Sequence, residues 1–203
     1  MQGQEVELNE MNLTGLACRR LTEAVWVLLG IYWAYGAMRV KPVARRETDR
    51  QRIVHLILML LAAFLLADPN PAIGALRYRF IPETARVCWT GLGMVIAGCA
   101  FAVWARAVLG GNWSASVTVK EGHEVIRKGP YSIVRHPIYT GLLLAVLGTA
   151  LEVGEIRGLI AFAVAFASLF EKSRREERFM VEEFDGAYVE YRHSVKRIIP
   201  FVL

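Results

Sequence analysis

The sequence predicts an all-α integral membrane protein of about five transmembrane helices. Three observations carry that expectation. Over 203 residues the chain is 55% hydrophobic, too apolar for an ordinary soluble domain of this size. Its apolar residues gather into five runs separated by charged connections. Its Lys and Arg residues concentrate in alternate connections, as the positive-inside rule requires of a multi-span protein.

The first 23 residues are polar, with Glu5, Glu7 and Glu10 ahead of Arg19 and Arg20, and carry no cleavable signal pattern. The first apolar run covers residues 24–38 and the second 53–67, ending at Asp68-Pro69-Asn70-Pro71. The third, 87–105, is the longest uncharged stretch; its Gly91, Gly93 and Gly98 would let a neighbouring helix approach closely. Arg106 closes it and is expected to snorkel. The fourth and fifth runs, 137–151 and 158–170, are short enough to form a hairpin against the others. Most runs fall short of the roughly 20 residues an upright span needs. Charged flanking turns would lengthen them.

The connections after runs one, three and five hold most of the 24 Lys and Arg, which places them and the C-terminus on the cytoplasmic side. The net charge of +5 then reflects contact with anionic lipid headgroups rather than nucleic acid. Cys18, Cys88 and Cys99 have neither metal-ligand nor disulfide spacing and read as small apolar fillers. The chain divides into an N-terminal part, 1–85, with the first two runs, and a remainder, 86–203, within a single membrane-embedded domain of residues 1–203.

Residues 129–141 organise the rest. Pro137 is expected to start the fourth helix, because proline fits a first helical turn and biases the residue before it away from helix. Tyr131, Arg135 and His136 then stand at the approach to a helix N-terminus, where unsatisfied N–H groups can hold an anionic part of a small ligand. The preceding connection, 110–135, alternates around Val117-Thr118-Val119-Lys120 as a short strand or extended loop. After the fifth run, residues 171–178 read as a partly solvated helix with Glu171 beside Arg174 and Arg175. Asp185-Gly186 is expected to break that helix before a short one at 187–192. The tail 198–203 is apolar enough to lie back on membrane or protein. His55 is expected at a helix end and His193 on the surface.

Arg135-His136-Pro137-x-Tyr139-x-Gly141, followed by Glu176-Glu177, resembles the isoprenylcysteine carboxyl methyltransferase family, which is related to the phospholipid N-methyltransferases. Gly110-Gly111-Asn112-Trp113-Ser114, Gly129-x-Tyr131 and the Tyr188-x-x-Tyr191 region share in the likeness, which covers roughly the last 100 residues. The resemblance implies S-adenosylmethionine as methyl donor. Its pocket would lie on the cytoplasmic side, formed by the loop before span four and the C-terminal helices. Gly129, Tyr131, Arg135, His136, Pro137, Tyr139 and Gly141 would line it, Glu176 and Glu177 would close it, and His123 or Lys128 would reach the adenine side. Carboxylates suit the donor's cationic and hydroxyl groups, Arg135 or His136 its carboxylate, and aromatic rings its sulfonium.

The membrane setting implies a lipophilic or lipid-modified acceptor. A carboxylate acceptor needs no general base, only a cation such as Arg174 or Arg175 to hold it; an amine acceptor would need Glu176 or its neighbour to take a proton. Phospholipid amine methylation is therefore the alternative. An NADPH-dependent membrane reductase is a third reading, weakened by Pro137 and Ile138 where related reductases resemble Arg-His-x-Asn-Tyr. The oligomeric state is left open.

Overall fold

The computed structural model describes residues 2–37, 45–46, 48–67, 74–110, 118–119 and 125–202. Five α-helices carry the fold: α1 Gln2–Ala37, α2 Asp49–Leu66, α3 Ala85–Leu109, α4 Pro137–Val153 and α5 Ile156–Ser194. Each apolar run lies largely within one of them. The short-strand expectation holds as β2 Thr118–Val119, antiparallel to β1 Arg45–Arg46. His123, the 111–114 motif and the 68–71 stop lie outside the described residues.

Helices α3 and α4 form the tightest pair, with α1 packed on α3, α5 on α4 and α2 on α5. Glycine permits the central contact. A Cβ on Gly98 would stand 2.4 Å from the Gly141 carbonyl oxygen, and one on Gly148 would stand 2.5 Å from that of Gly91. Residues seven apart return to nearly the same helix face, so two glycines per helix bring the backbones together over two turns. Gly93 meets nothing within 4 Å and takes no part. Ala145, Val95 and Cys99 fill the seam, and Leu143, Val146, Ala161, Ala165 and Leu169 continue the core between α4 and α5.

The outer surface is apolar. Val27, Leu28 and Ile31 on α1, Ile57, Leu60 and Phe64 on α2, and Ile96 on α3 are all exposed. An apolar surface of that extent belongs against lipid or a partner rather than water. Among the described residues, α3 is the one helix long and apolar enough to cross a membrane by length and composition.

Three local expectations are corrected. Asp185-Gly186 does not end a helix: α5 continues for 39 residues. One exposed glycine costs a helix only about 1 kcal/mol, and the buried Tyr188 and Tyr191 beyond it anchor the last turns. Arg106 does not snorkel outward but lies buried beneath α1, its guanidinium 5.6 Å and 5.4 Å from the Tyr32 and Trp33 rings. His55 sits within α2, not at its end, and its Nδ1 is 2.7 Å from the Ser168 hydroxyl on α5. The polar N-terminal stretch is helical from Gln2, so α1 has 36 residues.

Candidate functional site

The chain folds the site together by bringing its tail back to the start of α4. Pro137 occupies the first helical turn, and His136 ahead of it takes the N-cap position with φ −121° and ψ 62°. The N–H groups of Arg135 and His136 donate to the carbonyls of Lys196 and Arg197 at 2.8 and 2.9 Å, as in a parallel strand pair. The Thr140 hydroxyl donates to the Ile198 carbonyl at 2.6 Å, and the Ile198 side chain is buried in the core. Ile198 therefore holds the start of the tail on the protein, whereas Phe201 and Val202 beyond it are exposed.

Inside this staple stands Glu177. Its side chain is 3% exposed, and Oε1 accepts from Arg135 Nε at 2.9 Å and Nη2 at 2.8 Å. Arg197 adds Nη2 to Oε2 at 2.8 Å and Nε to Oε1 at 3.1 Å, and Arg192 lies 3.6 Å away. Arg135 directs its remaining Nη1 to the carbonyls of Arg192 and Val195. So Arg135 holds Glu177 and the tail, and its donors are not turned to a ligand.

Glu176 is placed differently. It is 20% exposed, receives the Tyr139 hydroxyl at 2.5 Å, and lies 3.4 Å from His136 Nδ1, whose Nε2 is 3.3 Å from Glu177. The His136 imidazole therefore bridges both carboxylates and stacks on the Tyr139 ring, centroids 5.4 Å apart. Lys172, buried one turn earlier on α5, has Nζ 5.8 Å from that ring centre. Tyr131 is buried beneath, its carbonyl accepting the Tyr191 hydroxyl at 2.5 Å.

These contacts set the charges. Burial would raise both carboxyls and lower His136. The hydrogen bonds between His136 and the two glutamates outweigh burial in each case, joined at Glu177 by Arg197 and Arg135 and at Glu176 by Lys172 and Tyr139. His136 is consequently raised above its usual 6.5 and both glutamates are held below their usual 4.5. Burial pushes the Tyr191 phenol up to about 12, and the Tyr131 and Tyr188 phenols well up. A raised imidazole contributes stability in full below pH 6.5 and loses it as pH rises through the folded value. Lowered carboxyls contribute in full above pH 4.5 and lose it as pH falls. Thermal melts should be highest between those limits, and His136→Asn should flatten the decline on the alkaline side. A wild-type melting temperature that does not change with pH from 6 to 9 contradicts this.

Of the residues marked by sequence, Tyr131, Arg135, His136, Pro137, Tyr139, Glu176 and Glu177 meet in this cluster. Gly141 faces Gly98 in the α3–α4 seam instead. Lys128 is exposed, and Gly129, with φ 61°, opens a short turn against Trp104 and Val108. Arg174 and Arg175 part company. Arg174 is exposed near Glu171 at 3.8 Å, whereas Arg175 is buried and lines a cavity of about 510 Å³ with Thr48, Arg50, Gln51 and Val54 of α2 and its cap. The sequence reading missed Arg197, Arg192 and Lys172. Their signal was present in the basic tail, which served only as a marker of membrane side.

Residues 91–182 match the family model for the isoprenylcysteine carboxyl methyltransferase (ICMT) family. The protein-S-isoprenylcysteine O-methyltransferase B of Arabidopsis thaliana is 32% identical over 129 residues, 61% of this chain and 66% of that protein. The Saccharomyces cerevisiae protein-S-isoprenylcysteine O-methyltransferase is 31% identical over 115 residues, 55% of this chain and 48% of its own length. The Homo sapiens protein of that name is 27% identical over 129 residues, 61% of this chain and 45% of its own. The matched stretch thus spans about two thirds of the plant protein and about half of the yeast and human ones.

Proposed function

This chain belongs to the isoprenylcysteine carboxyl methyltransferase family, and on that premise we propose that it methylates the carboxylate of a prenylcysteine-like or other lipophilic acceptor, with S-adenosylmethionine as donor. The observation that carries the reading is the Glu176–His136–Tyr139 cluster at the start of α4, closed over by the tail. In this reading the five apolar helices lie in the membrane and the cluster faces the cytoplasm, where the soluble donor is available.

The donor set fits that cofactor. Glu176, the more exposed glutamate, offers a carboxylate to an ammonium or ribose hydroxyl, and Tyr139 and Tyr131 offer rings to a sulfonium. Glu177 and Arg135 hold each other, so they position Glu176 and His136 rather than touch the ligand. Lys128, and His123 outside the described residues, are assigned the outer, adenine side. When bound, the cofactor supplies an electrophilic methyl group. An acceptor oxygen forms the new O–CH3 bond as the S–CH3 bond breaks, and the electron pair passes to sulfur. No proton moves, so no base is required.

Helix geometry divides the labour. Adjacent residues on α5 point about 100° apart, so Arg175 faces the α2 cavity while Glu176 and Glu177 face α4 and the tail. The acceptor carboxylate meets Arg175 between α2 and α5, and the donor enters from the opposite side. An amine acceptor fits less well, because a glutamate held below the usual carboxylate range is a poor base. The relatives compared above are all named O-methyltransferases, which weighs against the reductase reading.

The test is transfer of labelled methyl from S-adenosylmethionine to N-acetyl-S-farnesylcysteine in detergent or vesicles, with the product a base-labile ester. Glu176→Gln should lower transfer about 10–100-fold, the worth of one charge-assisted hydrogen bond, with a smaller fall in melting temperature than removal of the more deeply buried Glu177. Arg175→Gln should raise the acceptor's KM about tenfold and leave kcat nearly unchanged. Label recovered as a stable N-methyl group, or no binding of the demethylated donor by calorimetry, overturns the proposal.

A further inference from the structure

Helix α1 packs chiefly on α3, and a slot of about 660 Å³ separates it from α2. The two packed helices run parallel in a constant register. Toward their C-terminal ends Gly36 lies against the Arg106 guanidinium, and midway Leu29 shares a buried cluster with Cys99. The residues of each pair are 70 positions apart. Cys18 and Cys88 are also 70 positions apart, so the same register brings them to one level near the start of α3. No spacing within the sequence marks this pairing, because it arises only between the two helices.

Contacts on either side bracket the pair. Before it, Glu83 receives Arg19 at 3.3 Å, and a Cβ on Gly15 would stand 3.3 Å from Glu83 Oε1. After it, Glu152 of α4 accepts the Thr22 hydroxyl at 2.8 Å, and a Cβ on Gly91 would stand 2.5 Å from Glu152 Cγ. Gly15, Cys18, Thr22 and Leu29 recur at helical spacing and so share one face of α1. Cys88 heads the α3 face that continues through Leu92, Val95 and Cys99. Cys18 is fully buried and Cys88 half-buried. Their thiols are unoxidised and within hydrogen-bonding reach of each other. Cys99 is enclosed in the core cluster and fills space there.

We propose that Cys18 and Cys88 are a disulfide-forming site that locks α1 onto α3. Facing positions at one level on two packed helices suit the Cα separation of about 4.4–6.8 Å that a disulfide requires. The half-buried Cys88 reacts first: its thiolate attacks a disulfide oxidant, one thiol leaves and a mixed disulfide forms. The Cys18 thiolate then attacks the Cys88 sulfur and expels the second thiol. Two protons and two electrons pass to the oxidant, which departs as two thiols. The pair lies at the end of the bundle away from the methyl-transfer cluster, since Glu152 beside it is about 24 Å along α4 from His136. In the membrane orientation proposed above, that end faces the non-cytoplasmic side, where disulfides form and persist. The compartment rests on that reading; the meeting of the two thiols does not.

The test is to incubate the reduced full chain in detergent with oxidised glutathione, digest it without reduction and sequence the fragments by mass spectrometry. A linked peptide joining Cys18 to Cys88 is expected, with the intact chain lighter by two hydrogens and Cys99 still open to alkylation after denaturation. Closing that loop should raise the melting temperature by about 5–15 °C. Cys88→Ser should remove the rise, and Cys99→Ser should keep it. The linked peptide is read in the wild-type chain, so it decides even where a variant folds poorly. Glutathione held on Cys88 without ring closure, a bond to Cys99 or a bond to a second chain overturns the proposal. All three thiols reduced in chain alkylated directly in the membrane of the cells that make it overturns it too. Binding of the demethylated donor, measured on the same samples, reports on the methyl-transfer reading separately.

Discussion

Glu177→Ala is expected to lower stability by about 3–5 kcal/mol, the cost of removing one partner from a buried ion cluster. The reason lies in what it leaves behind. Arg135, at 7% exposure, and Arg197 would face each other without the carboxylate that both grip at 2.8 Å. For a chain of this length that loss corresponds to a fall in melting temperature of about 6–20 °C. Glu177→Gln keeps hydrogen bonds but not charge and should lie between. The staple between the tail and the start of α4 should loosen first, so amide exchange at Arg135 and His136 should accelerate before the α3–α4 seam opens. If Glu177→Ala melts within 2 °C of wild type, the cluster does not hold the tail.

Gly141→Leu is expected to destabilise by about 3 kcal/mol, at the upper end of overpacking costs. A Cβ at Gly141 would stand 2.5 Å from the Gly98 carbonyl oxygen and 2.8 Å from the Ala102 nitrogen. Those atoms belong to a helix backbone and cannot step aside singly, so α3 and α4 must separate. Because α4 carries Pro137 and His136 at its start, methyl-donor binding should fall with stability. Gly93→Leu is the control: nothing stands within 4 Å of a Cβ there, and the variant should melt within about 1 °C of wild type. Equal effects of the two substitutions on melting would contradict the close approach.

Much of the site was legible because its residues are close in sequence. The stretch from Tyr131 to Tyr139 reads as a helix start with a cation and an imidazole before a proline, and local chemistry places it correctly. Its pairing with Glu176 and Glu177 across 37 to 42 residues came from the family likeness. The roles within the pair were not legible. Two adjacent glutamates look alike in a sequence, and only packing buries one among arginines and leaves the other partly exposed beside His136 and Tyr139. Arg135 was read as a ligand cation for the same reason. Gly141 lies in the motif but packs a helix seam, because a motif preserves spacing and not the direction a residue faces.

Taken alone, the amino-acid sequence determined an all-α chain, the position of its five apolar runs, the start of α4 at Pro137 and the family. These follow from hydropathy, proline stereochemistry and a short motif, all properties of neighbouring residues. The tertiary structure alone decided the uninterrupted length of α5, the burial of Arg106 against α1, the return of Arg197 to Glu177 and the slot between α1 and α2. Each depends on contacts between residues far apart in the chain, whose energy is set by which surfaces meet and not by the composition of either.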